Sequence, residues 1–182
     1  MSQNIEIKAV YPDLKKGQHK ARALAAQFIG TDHQIDTYFN VPRGRLKLRE
    51  SALSGNQLIP YLRPDEQTAK KSQYVLLPVQ DPSAVKELLT RMFGIRLIVE
   101  KERHIYLWQN VRIHLDQVKN LGTFLEFEAV IDEEHAAEIC REQVRFLLTH
   151  FEIPETNLLA RSYADLLTER VKLNRKGQNN HV

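Results

Sequence analysis

A chain of 182 residues is long enough for one domain with a substantial core and too short for two comfortable ones. Hydrophobic residues make up 42% and charged residues 27%, which excludes a disordered chain, and a net charge of +3 is small enough that the placement of charge matters more than its sum. The single cysteine, Cys140, excludes an internal disulfide and fits a reducing compartment, and no run approaches the ~20 apolar residues of a membrane helix.

The opening MSQNIEIKAV has the pattern of neither a secretory signal nor a transit peptide, which predicts a cytoplasmic protein. From Asn4 to Val10 polar and apolar residues alternate, with Asn4, Glu6 and Lys8 on one face; period two predicts a strand. Tyr11-Pro12-Asp13 opens a helix predicted to run to about Phe28, with Leu14, Ala21, Leu24, Ala25 and Phe28 as its apolar stripe and Gly17 as its weak point. Strands are predicted at 34–39, 43–50, 58–63 and 72–79, then at 97–103, 105–108, 111–116 and 124–131. A helix interrupts them from Pro82 to Phe93, stopped by Gly94. Asp132 caps a further helix to about His150, and Pro154 begins another that reaches about Leu173. The chain reads as a single domain over 1–182, with 174–182 as a solvated, flexible tail and Pro64 to Lys71 as the longest polar stretch between strands.

The polar faces of these strands are systematically charged. Arg43, Arg45, Lys47 and Arg49 share one face, Lys101 and Arg103 another; Arg112, His114 and Asp116 a third, and Phe124, Glu126 and Glu128 a fourth. On a flat, solvated sheet, like charges side by side repel and nothing is gained by repeating them. Wrapped into a barrel, roughly eight such strands turn their charged faces to one lumen, where they can hold a polyanion and its accompanying cations. The apolar faces then point outward and are covered by four amphipathic helices; those helices and the missing signal speak against an outer-membrane barrel. The fold class is therefore α+β, a barrel with a charged lumen.

The same faces supply chemistry. Glu6, Glu126, Glu128 and Asp116 offer hard oxygens suited to Mg²⁺ or Mn²⁺. Arg45, Lys47, Arg63, Lys101, Arg103 and Arg112 together can neutralise about four phosphate charges, arginine as a bidentate fork and lysine as a point charge.

In order along the chain, Asn4-Ile-Glu6-Ile-Lys8, RGRLKLRE, the YLRPD turn, Lys101-Glu-Arg103 and RIHLDQVKNLGTFLEFE resemble the CYTH superfamily of triphosphate tunnel metalloenzymes, over about residues 4 to 170. That group includes class IV adenylate cyclases, thiamine triphosphatases and inorganic triphosphatases. The resemblance implies an eight-stranded antiparallel tunnel with a triphosphate along its axis. It also implies a metal site of Glu6, Glu126 and Glu128 with Asn4, and a catalytic set of Glu6, Lys8, Glu126 and Glu128. Lys8, Arg45, Lys47, Arg63, Lys101, Arg103 and Arg112 match phosphate-holding positions, and Asp116, with His114 beside it, orients neighbouring lumen groups. One departure stands out: the family pattern is ExExK, and Asn4 replaces its first glutamate. An amide oxygen can ligate a metal but is neutral, so the site loses one negative charge, and the ion is expected to bind more weakly or nearer Glu126 and Glu128.

Other residues divide between function and packing. His114 reads as a neutral hydrogen-bonding partner rather than a general base. Asp36 and Tyr38 share a face and either touch the substrate's organic part or pack; Trp108 either stacks on a ring or packs in a hairpin. Lys70 and Lys71 either close over a triphosphate, as a basic residue near this point in the family implies, or are simply solvated, and Cys140 reads as inert. RGRLKLRE and the block from Arg112 to Glu128 look closest to the cyclase-type branch, which puts ATP to cyclic AMP and pyrophosphate first. Hydrolysis of inorganic triphosphate, thiamine triphosphate or a nucleoside triphosphate is the alternative, and a non-catalytic polyphosphate- or nucleotide-binding module, permitted by Asn4, is a third. The partner implied is a small-molecule triphosphate such as ATP, with no nucleic acid and no membrane, in a monomer or homodimer.

Overall fold

The computed structural model describes residues 2–62 and 70–178, with the backbone alone for 2, 70, 71 and 174–178. Strand β1 (Ser2–Val10) is followed by helix α1 (Leu14–Ala23), then β2 (Gln27–Phe39), β3 (Arg45–Ser51), β4 (Gln57–Leu62), β5 (Lys70–Tyr74) and the two-residue β6 (Leu77–Pro78). Helix α2 (Pro82–Phe93) precedes β7 (Ile95–Trp108), β8 (Val111–Val118) and β9 (Gly122–Ile131). Helix α3 (Ala137–His150), a 3-10 turn at Glu155–Asn157, the short β10 (Leu158–Leu159) and α4 (Tyr163–Gln178) complete the chain.

The strands pair in the order β1-β5-β4-β3-β2-β7-β8-β9, every pair antiparallel. Pairing of Gln3–Val10 with Phe124–Ile131 then joins β9 back to β1, so the eight strands close on themselves and leave no free edge. The short β6 and β10 extend β4 and β1. The expected α+β barrel, eight strands and four helices, is thus the observed one.

Several boundaries differ from those read in the sequence. Helix α1 stops at Ala23, not near Phe28. Ala25 adopts φ 55°, and the Ala26 N–H donates to the Ala21 carbonyl at 3.1 Å, a left-handed ending that turns the chain before residue 27. Residues 27–33 instead extend β2, pairing with β7 as far as Gln27↔Leu107, with a bulge between Phe28 and Gly30. The two strands expected at 97–108 are one, β7. Arg43 lies in an exposed bend before β3 and not on its face. Asp132 caps a turn, accepting from the Glu134 and His135 N–H groups, and α3 begins five residues later. After Pro154 comes the 3-10 turn and not a helix; α4 starts at Tyr163 and continues to Gln178, past the predicted stop near Leu173. Residues 179–182 of the expected tail lie outside the described residues.

The apolar core lies outside the barrel wall. Ile5, Ile7, Ile113, Leu115, Leu125 and Phe127 turn their side chains outward against Ala21 of α1, against Cys140, Val144 and Leu147 of α3, and against Phe151, all buried. Each such side chain contributes about 1.5–3 kcal/mol on burial. Gly17, the apparent flaw in α1, is where that helix comes closest to the wall: a Cβ there would sit 2.7 Å from Leu115 Cδ2. At one end of the barrel a second cluster gathers Tyr38, Val99, Val118, Phe124, Tyr163 and Ala164, so the start of α4 packs across that end. Helix α2 covers less than expected; none of its residues is buried, and Leu88 and Met92 are exposed. Among the described residues no helix is long and apolar enough to cross a membrane.

Candidate active site in the barrel lumen

Period two along each strand sends the charged face inward, and the barrel encloses a cavity of about 580 Å³. Its wall includes Asn4, Glu6 and Lys8 from β1, Lys47 and Arg49 from β3, Lys101 and Arg103 from β7, Arg112 and His114 from β8, and Glu126 and Glu128 from β9. Cross-strand register stacks them side by side: Lys8 faces Glu126, Glu6 faces Glu128, and across the next pair His114 faces Glu126 and Arg112 faces Glu128.

One part of the lumen is a closed ion network. Arg103 donates to both oxygens of Asp116 at 2.6 Å and to Glu126 Oε2 at 2.8 Å, and the Tyr163 hydroxyl donates to Asp116 Oδ2 at 2.7 Å. Lys8 Nζ donates to Glu126 Oε1 at 2.6 Å and lies 4.1 Å from the centre of the Tyr163 ring, a cation–π contact. Burial alone would raise the Asp116 carboxyl, but Arg103 holds it well below the usual carboxylate range. Burial is likewise overridden at Glu126, chiefly by Lys8, and at Glu128, chiefly by His114. Asp116 accepts from both Arg103 and Tyr163 and so ties β7, β8 and α4 together.

A second part carries surplus positive charge. Asp36 alone accepts from Lys47 at 3.1 Å, from Arg49 at 2.8 and 2.9 Å, and from Lys101 at 3.3 Å. With all three protonated, the cations on one carboxylate leave a net charge of about +2. Burial, with Arg49 nearby, pushes the Lys47 ammonium down to about 7, and burial with Arg103 pushes Lys101 down to about 8. This is a site poised for an anion.

The other predicted residues are dispersed. Arg45 Nη2 donates to Asp165 of α4 at 3.1 Å and does not line the cavity. Arg112 is about two-fifths exposed, with Nη1 3.7 Å from Glu128. Arg103 is in the lumen, where it makes three donations to the carboxylates of Asp116 and Glu126. Trp108 stacks on Phe146 of α3 at 5.4 Å, outside the barrel, and Cys140 is buried in the outer core. Tyr38 lines the cavity, and Asp36 accepts from Lys47, Arg49 and Lys101. Arg63 and the side chains of Lys70 and Lys71 lie outside the described residues.

Sequence reasoning passed over Arg49 and Tyr163. Arg49 was visible in the alternation of RGRLKLRE. Tyr163 carried no local signal, because only the docking of α4 brings it over Lys8.

The match to a family model for the CYTH domain spans residues 2–163. This chain belongs to the CYTH domain family. The candidate adenylate cyclase MJ0240 of Methanocaldococcus jannaschii is 25% identical to it over 170 residues, 89% of this chain and 97% of that one. The adenylate cyclase CyaB of Aeromonas hydrophila is 27% identical over 152 residues, 79% and 76% of the two chains. The structure of PH1012 from Pyrococcus horikoshii OT3 superposes with a TM-score of 0.80 at 26% identity, covering 90% of this chain and 98% of that one.

The family's divalent metal has a chemically suitable home in this CYTH domain. His114, Glu126 and Glu128 bring ligand atoms within 4.8 Å of one another, Glu6 faces Glu128 across the strand pair, and the buried Asn4 Oδ1 has no hydrogen-bond partner. Unpartnered buried oxygen beside clustered carboxylates fits a cation better than it fits a closed protein network.

Proposed function

We propose that this CYTH domain is a cytoplasmic, Mg²⁺- or Mn²⁺-dependent enzyme that converts ATP to cyclic AMP and pyrophosphate. The observation that carries the reading is the cluster of Lys47, Arg49 and Lys101 around one carboxylate, beside the His114–Glu126–Glu128 group in the same lumen. Lys8, Lys47, Arg49 and Lys101 would hold the phosphates, and the charge that develops on departing pyrophosphate would be neutralised by cations already in place. The 3′ oxygen of the ribose would form a bond to the α-phosphorus, the bond to the pyrophosphate oxygen would break with its electron pair going to pyrophosphate, and the hydroxyl proton would pass to solvent water. Glu6, Glu126 and Glu128 would hold a divalent ion, which would supply Lewis-acid polarisation of the phosphate oxygens.

An organic group on the triphosphate is supported by the lumen's apolar flank. Ile29, Leu53, Leu76, Ile105 and Leu107 line the same cavity, with Leu53 47% exposed. Inorganic triphosphate would leave that flank wet, whereas a nucleoside would cover it. The 27% identity to an adenylate cyclase points the same way.

The deciding experiment is product analysis with ATP, thiamine triphosphate and tripolyphosphate, each with Mg²⁺ and with Mn²⁺. Cyclic AMP and pyrophosphate from ATP are the expected products. Inorganic phosphate as the sole product would replace the cyclase with a triphosphatase, and binding without turnover of any of the three would leave a binding module.

A proton-linked signature accompanies binding. Lys47 and Lys101 are depressed in the protein alone, so at pH 8.5 both are largely neutral, while phosphate has lost its last proton by about pH 7. A bound triphosphate favours their charged forms, so ATP binding in EDTA at pH 8.5 should take up about one to two protons. Calorimetry in two buffers of different ionisation enthalpy measures this, and zero uptake or net release would contradict it.

A further inference from the structure

We propose that the His114 imidazole is itself a metal ligand, and that with Glu126 and Glu128 it makes a mixed nitrogen–oxygen site selecting a divalent transition-metal ion over Mg²⁺. The inference rests on the lumen being the metal-bearing site of the reading above, and it assigns that site a different donor set. The sequence presented His114 as a hydrogen-bonding partner, and the structure gives its Nδ1 nothing to bond. That atom is fully buried and has no hydrogen-bond partner, and the ring is 4% exposed.

Its neighbours are the two lumen carboxylates, with Glu126 Oε2 at 3.9 Å and Glu128 Oε1 at 3.8 Å. Those separations are too long for hydrogen bonds, which end near ~3.5 Å. They suit two ligands on one ion, because two bonds of about 2.1 Å span at most about 4.2 Å. Lys8 fixes Glu126 through Oε1 and Arg103 donates to its Oε2 at 2.8 Å, while the ion pairs of Glu128 among the described residues are the looser ones to Arg112 at 3.7 Å and to His114. Each oxygen also keeps a second lone pair for a metal.

Chemistry then sets the choice of ion. Mg²⁺ binds oxygen and holds its waters tightly, gaining little from a nitrogen donor, whereas imidazole is a preferred donor for later first-row ions and the affinity order rises along that row. Asn4 works in the same direction. With an amide where the family has a carboxylate, β1 offers one negative charge fewer to a hard ion, and a nitrogen opposite restores donor strength only for a softer one.

The test uses the full chain with no substrate and Mn²⁺ as probe, so it is independent of which product the enzyme makes. Mn²⁺ titration followed by EPR, with Mg²⁺ as competitor, should show Mn²⁺ bound at least about tenfold more tightly. Pulsed EPR of the bound ion should show modulation from a directly coordinated nitrogen. His114→Gln should abolish that modulation and weaken Mn²⁺ by about tenfold, while Mg²⁺ affinity changes less than about threefold. Mn²⁺ bound without nitrogen modulation, no Mn²⁺ binding, or Mg²⁺ competing on equal terms would each overturn the proposal. The nitrogen signal is read on the unaltered chain, so the test stands even if the variant fails to fold. Formation of cyclic AMP with Mg²⁺ alone would leave the cyclase reading intact and is scored separately.

Discussion

Glu128→Gln should lower turnover by at least about a hundredfold, a loss of about 2.7 kcal/mol of transition-state stabilisation. Of the two carboxylates on β9, Glu126 is already bound to Lys8 and Arg103 at 2.6 and 2.8 Å. The ion pairs of Glu128 with Arg112 and His114 are 3.7 and 3.8 Å long, which leaves it the freer of the two for a metal. Glutamine keeps the shape and one oxygen but removes the charge, and in a lumen dominated by cations that charge is scarce. Because Glu128 closes no short internal bond, the fold should survive; an unfolding midpoint within about 0.5 kcal/mol of wild type would establish this. Turnover within tenfold of wild type at saturating Mn²⁺ would remove Glu128 from the catalytic set.

Asp116→Ala should act on the opposite quantity, costing about 3–5 kcal/mol of stability. Asp116 has no exposed surface and accepts two bonds from Arg103 and one from Tyr163. Removing it leaves the buried guanidinium with Glu126 alone and frees the hydroxyl that ties α4 to the barrel. The pH dependence follows from the sign of its shift. A carboxyl depressed in the folded state contributes fully above its unfolded value of about 3.9, and the contribution is lost as pH falls below that. Urea unfolding at pH 7 measures the loss. Arg103→Met combined with Asp116→Leu should recover part of it by removing the orphaned charge. A loss under about 1 kcal/mol would show that the network does not hold the barrel end together.

The barrel was legible because its signal is local. Inward charge and outward aliphatic residues alternate within single strands, and Ile5, Glu6 and Ile7 announce both faces without reference to the rest of the chain. The first half of β2 was not legible. Leu24-Ala25-Ala26-Gln27-Phe28 continues a helical apolar stripe, yet the first three residues form the turn, and only pairing with β7, about 80 residues away, makes Gln27 and Phe28 the start of a strand. The same limit hid Tyr163, whose place over Lys8 comes from α4 docking across the barrel end, and Trp108, whose partner Phe146 belongs to α3. In the site, charge type was legible and charge balance was not. RGRLKLRE showed the cations, but that Lys47 and Arg49 share Asp36 with Lys101, and that Arg103 is paired with Asp116, depends on side chains meeting across four strands.

Diffraction from crystals grown with a non-hydrolysable ATP analogue and Mn²⁺ tests the proposed chemistry most directly. The phosphates should lie inside the barrel against Lys8, Lys47, Arg49 and Lys101, with the anomalous peak of the ion beside His114, Glu126 and Glu128 and the nucleoside against Leu53 and Leu107. An analogue bound on the outer, helix-covered surface, with the Asp36 ion pairs undisturbed, would contradict it.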